Sequence, residues 1–139
     1  MQLPQVNYLA VLVSAVVIFF LGGLWYSKAL FAKKWMALMG KTEEEIKAAG
    51  APPMGLMLLQ GFISGLLVAW TLAVILNHFA NLTALRGALV GGLCWLGFAG
   101  ATSYSTALFS MQKKQLWVIN TGFNLVSFVI AGVILACWR

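Results

Sequence analysis

Residues 54–76 read MGLMLLQGFISGLLVAWTLAVIL, 23 residues without one charged side chain. A helix rises ~1.5 Å per residue, so this run covers the ~30 Å hydrocarbon core of a bilayer. A helix apolar on every side must be buried in a large protein or in lipid, and a chain of 139 residues has no core large enough to take it. Three more charge-free runs of similar length flank it, at residues 8–26, 87–109 and 116–138. Together they predict an all-α integral membrane four-helix bundle forming a single four-span domain.

Composition agrees. The chain is 62% hydrophobic and 9% charged, whereas soluble domains are roughly 45–50% apolar and about 25% charged. Cys94 and Cys137 both lie in apolar runs, where a thiol behaves as a small hydrophobe. The net charge of +6 would suggest nucleic acid in a soluble chain. Here the positive residues sit between spans, so nucleic acid is not expected as a partner and the lipid bilayer is.

The distribution of charge predicts orientation. Lys28, Lys33, Lys34, Lys41 and Lys47 fall between the first two spans and Lys113 and Lys114 between the last two, while only Arg86 and Arg139 lie on the opposite side. The positive-inside rule then puts the lysine loops in the cytoplasm and both termini outside. Tyr8 and Trp138 mark the outer interface, and Trp25, Tyr26 and Trp117 the inner one. The first run is expected to remain in the mature protein, since no positive segment precedes it and Trp25-Tyr26-Ser27-Lys28 is a poor cleavage site.

The first loop carries helices at about residues 30–49. Over residues 30–39 a helical projection gathers Leu30, Phe31, Trp35, Leu38 and Met39 on one side and Lys33 with Lys34 on the other, as in a helix lying in the headgroup plane with Trp35 buried in the interface. Thr42-Glu43-Glu44-Glu45 has the spacing of a capping box, Glu43 and Lys47 are spaced i,i+4, and Gly50 before Pro52-Pro53 ends the turn.

Sliding the chain on itself by 78 positions aligns Tyr26-Ser27-Lys28-Ala29-Leu30-Phe31 with Tyr104-Ser105-Thr106-Ala107-Leu108-Phe109, with five of six residues identical and Gly22 over Gly100. This predicts two parallel hairpin repeats about a pseudo-twofold axis along the membrane normal. The chain also resembles the "domain of unknown function 1761" family of small bacterial membrane proteins. The resemblance rests on Asn7, the run LGGLWYSKALFAKKWMALMG at residues 21–40, Trp95-Leu96-Gly97-Phe98, and Ile119-Asn120-Thr121-Gly122-Phe123 through Trp138. It implies four transmembrane helices in a bacterial cytoplasmic membrane. No activity is established for the family, so no catalytic residues carry over.

Among polar residues in the spans, Tyr26, Gln60, Ser64, Tyr104, Asn120 and Asn124 all fall in the cytoplasmic half, and they predict a polar cluster or inward-opening pocket. Tyr104, Asn120, Asn124 and Gln60 are expected to face the bundle interior, with Gly97 and Gly100 on the same helix face as Tyr104. Such amides and phenols serve either as hydrogen bonds between helices or as a solute or ion site. Gly61/Gly65 and Gly87/Gly91 have small-xxx-small spacing, and Gly22 and Gly100 are further packing candidates.

No base lies within the spans to activate a nucleophile, and the only acids, Glu43, Glu44 and Glu45, are consecutive on the loop. His78, the one histidine, has no second ligand nearby, so neither a metal site nor a cofactor is expected. The residues therefore favour a non-catalytic membrane protein acting by association, as a homo-oligomer or an accessory subunit of a larger membrane complex. The alternative is a small transporter or channel for a neutral solute or ion.

Overall fold

The computed structural model describes residues 2–139, and every described element is helical. Four helices are long and apolar enough to cross a membrane: α1 (Tyr8–Trp25), α4 (Met54–Leu76), α5 (Ala84–Phe109) and α6 (Lys114–Cys137). Two short helices, α2 (Ala32–Met39) and α3 (Glu43–Ala48), fill the first loop.

Local chemistry sets the ends. Asn7 starts α1 by accepting from the Leu9 and Ala10 amides at 3.1 Å each. The capping box on α3 is complete: Thr42 Oγ1 accepts from the Glu45 amide, and the Glu45 carboxylate accepts from the Thr42 amide. Lys47 pairs with Glu43 at 3.6 Å. Gly40 closes α2 in the left-handed region at φ +68°, where a side chain is strained. Thr83 caps α5 by accepting from the Arg86 amide, and the Arg86 guanidinium donates to the Asn81 carbonyl at 2.8 Å. The third span therefore begins at Ala84, three residues before the first charge-free position, because the arginine is held back at the rim.

α6 is the central strut. It packs against α1, α4 and α5, whereas α5 rests almost wholly on α6 and barely meets α4. The fully apolar core, including Ala10, Ile18, Ala69, Leu72, Leu76 and Leu135, lies toward the end remote from the lysine loops. Lipid tails are as apolar as leucine, so helices in a membrane are held by close packing and hydrogen bonds rather than by a hydrophobic drive.

Close packing is provided by glycines of α5 and α6. A Cβ on Gly87 would overlap the Gly132 carbonyl oxygen, and one on Gly91 the Phe128 carbonyl oxygen. Gly65 makes ordinary contact with Ile18, 3.5 Å from its would-be Cβ. Gly61 faces open space, so the Gly61/Gly65 spacing does not form a helix crossing.

One irregularity was not visible in the sequence. Residues Trp95–Gly100 form a π-helical turn inside α5. Such a turn carries one extra residue and rotates the remainder of the helix by about 100° relative to an α-helix. Gly97, inside the turn, is displaced from the face of Gly100 and has open space around it; Gly100 lies buried under the Trp95 ring, while Tyr104, one α-helical turn further on, is exposed.

The repeated hexapeptide takes two conformations. Tyr104–Phe109 continues α5, while Tyr26–Phe31 is a run of turns after α1, in which the Leu30 and Ala32 amides donate to the Ser27 carbonyl and that of Phe31 to Trp25. Helix α2 accordingly starts at Ala32 rather than at Leu30.

Candidate functional site

The polar residues of the spans meet the aromatic ones at the end of the bundle that carries the lysine loops. Trp25 closes α1 there, and its Nε1–H donates to the Ile119 carbonyl at 2.9 Å. Gly122 makes this approach possible, since its would-be Cβ lies 3.2 Å from the Trp25 ring. The next residue, Tyr26, donates its hydroxyl proton to Asn120 Oδ1 at 2.8 Å. Phe123 completes the contact, with its ring 5.7 Å from that of Tyr26 and edge-on to it.

On the other side of α6, Trp95 donates to the Thr121 carbonyl at 3.1 Å and to its hydroxyl at 3.2 Å. Ile119 and Thr121 are about 200° apart around the helix, so indoles from α1 and α5 grip α6 from opposite faces. Further toward the loop end, Trp117 donates to Ser103 Oγ at 3.1 Å and lies edge-on to Tyr104 at 5.2 Å. This lattice of four residue pairs ties three spans together.

α2 is docked on the same cluster. Trp35 stands edge-on to Tyr26 at 6.2 Å, and Phe31 lies 4.9 Å from the Trp25 ring. Phe31, Trp35 and Leu38 are partly covered by protein, while Lys33, Lys34 and Leu30 are exposed. The apolar stripe is thus split, half against the bundle and half free to enter the interface.

Of the six polar candidates, the structure joins Tyr26 to Asn120. Tyr104 is linked through Trp117 instead. Asn124 is half-buried and makes no side-chain hydrogen bond among the described residues. Gln60 and Ser64 lie on the exposed side of α4, and Ser64 donates to the Gln60 carbonyl at 2.9 Å. Gln60 does not join the cluster, because no helix covers that side of the first half of α4. Thr121 and Ser103 stand outside the six candidates, since their only distinguishing signal in the sequence was the presence of tryptophans in the neighbouring span.

At the opposite end, Asn77 donates to the Gln5 carbonyl at 2.8 Å and accepts from Arg139 at 3.3 Å, beside a small cavity of about 40 Å³. Trp138 lines this cavity. His78 donates from Nδ1 to the Val74 carbonyl, one turn back on its own helix. A second concavity, about 320 Å³, lies between α1 and α4 and is almost wholly apolar.

Four helices long and apolar enough to cross a membrane, three of them joined near one end by indole and phenol hydrogen bonds, mark the chain as a helical membrane protein. The family model described as "Protein of unknown function (DUF1761)" matches residues 9–136, nearly the whole chain, and the chain belongs to that family. Neither curated proteins nor solved structures give a match.

Proposed function

We propose that this protein is a non-catalytic, multi-pass component of the bacterial cytoplasmic membrane that acts by association, as a homo-oligomer or as a small accessory subunit. The observation that carries this reading is the isolation of the third span. α5 leans almost wholly on α6, and Leu85, Leu89, Leu93 and Leu96 form a stripe that is 57–69% exposed. A span with one packed face has another available for a protein neighbour.

The polar cluster supports the same reading. Tyr26 and Asn120 satisfy each other, and the span hydroxyls of Ser64, Thr102, Thr106 and Ser127 bond back to carbonyls of their own helices. These are groups that bind helices together or quiet their own polarity, which gives less support to a solute path. The carboxylates are confined to α3, remote from any nucleophile inside the spans.

Lysine placement supports termini outside, with seven positive residues on the loop side against two on the other. The pseudo-twofold relation between the hairpins is supported by the repeated hexapeptide alone, because a twofold would turn the α1–α6 packing into an equal α5–α4 packing, and α5 barely meets α4. The uneven docking of α1 and α5 makes it an approximate relation at most.

Extraction in a mild detergent followed by native mass measurement tests the association. A defined oligomer or a stoichiometric partner is expected. A strictly monomeric particle that gives no cross-links in the intact membrane would refute the reading. Cysteine at position 2, in a Cys137→Ser background, should label from outside the cell; labelling only from the cytoplasm reverses the orientation.

A further inference from the structure

The α1–α4 groove is lined by Val16, Phe19 and Phe20 on one wall and Leu58, Leu59 and Phe62 on the other. Its volume of about 320 Å³ falls within the ~300–1,000 Å³ range of ligand clefts. The edge-to-face pair Phe19–Phe62, 6.0 Å between ring centres, joins the two walls. The lining offers almost no polar surface, which suits hydrocarbon and excludes a polar solute.

Position decides the occupant. Phe20 is five residues from the end of α1 and Leu58 four residues from the start of α4, so the groove opens about 6–8 Å from the lysine-loop end of both helices. Both walls run directly into the segment carrying Lys28, Lys33, Lys34, Lys41 and Lys47. Among the described residues only Lys47 of these five has an acidic partner. Lys28 is exposed three residues beyond α1, and its side chain is long enough to reach the headgroup layer. A hydrocarbon slot whose walls lead to unpaired cations suits an amphiphile with an apolar chain and an anionic head.

We propose that this groove binds the acyl chain of an anionic phospholipid of the inner leaflet, with its phosphate held by Lys28. The proposal rests on the membrane reading and the inward orientation of the lysine loop, and is independent of whether the protein associates with other chains. Charge attraction of juxtamembrane lysines for anionic lipid supplies the selectivity, and the groove supplies residence.

Native mass measurement after reconstitution in vesicles of equal phosphatidylglycerol and phosphatidylcholine tests it. The wild-type chain should retain about one phosphatidylglycerol, at least fivefold over phosphatidylcholine. Leu59→Trp, which fills the groove, should cut retention of both lipids at least fivefold. Lys28→Gln should level the preference while lipid is still retained. Val16→Trp, which fills the groove from its other wall, serves if Leu59→Trp fails to fold, and undiminished retention there overturns the proposal likewise. Equal retention of the two lipids by the wild type, or undiminished retention in folded Leu59→Trp, overturns the proposal. So does a lipid-free dimer that Leu59→Trp dissociates, because a second copy would then occupy the groove. A monomer that retains phosphatidylglycerol would instead count against association alone.

Discussion

Gly87 and Gly132 face each other across the contact of the third and fourth spans so closely that a Cβ on either would overlap the carbonyl oxygen of the other. The relation is reciprocal, so relief by a shift in one helix is opposed by the other. Gly91 repeats the contact one turn along, against the Phe128 carbonyl. The obstacle in each case is backbone, which cannot swing aside as a side chain can.

Gly87→Ala and Gly132→Ala should therefore each destabilise the fold by about 1–3 kcal/mol or more, the range for forcing a methyl into a packed interface. Gly61→Ala is the control, since that position faces open space and alanine is the better helix former. Thermal unfolding in detergent, followed by circular dichroism, checks the contrast. Equal melting temperatures for all three variants would mean that the α5–α6 crossing is not tight.

The Tyr26–Asn120 bond lends itself to a double-mutant cycle with Tyr26→Phe and Asn120→Leu. Hydrogen bonds between membrane helices average ~0.6 kcal/mol and reach about 1.7, and a coupling in that range is expected. Tyr104→Phe combined with Asn120→Leu should show a coupling near zero, because Tyr104 is engaged by Trp117 instead. Reversal of these two results would place the wrong tyrosine on Asn120.

Legibility in the sequence followed the range of the forces involved. The four spans were readable because a charge-free run is a property of consecutive residues, and Thr42 with Glu45 because a capping box closes within four. Gly87 and Gly91 were readable as a close-approach surface, yet nothing in their spacing names Gly132 as their counterpart. Gln60 and Ser64 share a helix face, which spacing shows; that the face is uncovered depends on how far α5 stands from α4, which spacing does not show. The π-helical turn at Trp95–Gly100 was invisible, since hydropathy is uniform through it and no proline or charge marks the place.

That turn makes its own prediction. Deleting Gly97, which faces open space, removes the extra residue of the π-turn and leaves both flanks of α5 in register, so Trp95 keeps Thr121 and Ser103 keeps Trp117. Deleting Val90 in the regular part rotates the helix by about 100° and separates Gly87 from Gly132. The Gly97 deletion should fold with a near-native melting temperature and the Val90 deletion should not fold. Failure of both would assign the π-turn a role that a regular helix cannot fill.

Ser14 supplies the opposite kind of test, a substitution expected to help. It is 0% exposed at the middle of α1, and its hydroxyl has no hydrogen-bond partner. The hydroxyls of Ser64, Thr102, Thr106 and Ser127 bond carbonyls one turn back on their own helices, and those of Ser103 and Thr121 meet indoles of a neighbouring helix; Ser14 does neither. An unsatisfied buried polar group costs ~1–3 kcal/mol, and alanine removes the hydroxyl while leaving only a small void between Ala10 and Ala15. Ser14→Ala should raise stability by about 1 kcal/mol, whereas Ser14→Val, which adds volume among fully buried neighbours, should lower it. A loss of stability on Ser14→Ala would show that the hydroxyl is bonded after all, to a buried water or a polar group that reaches it only in the bilayer, and the inner face of α1 would then join the polar network rather than the dry core.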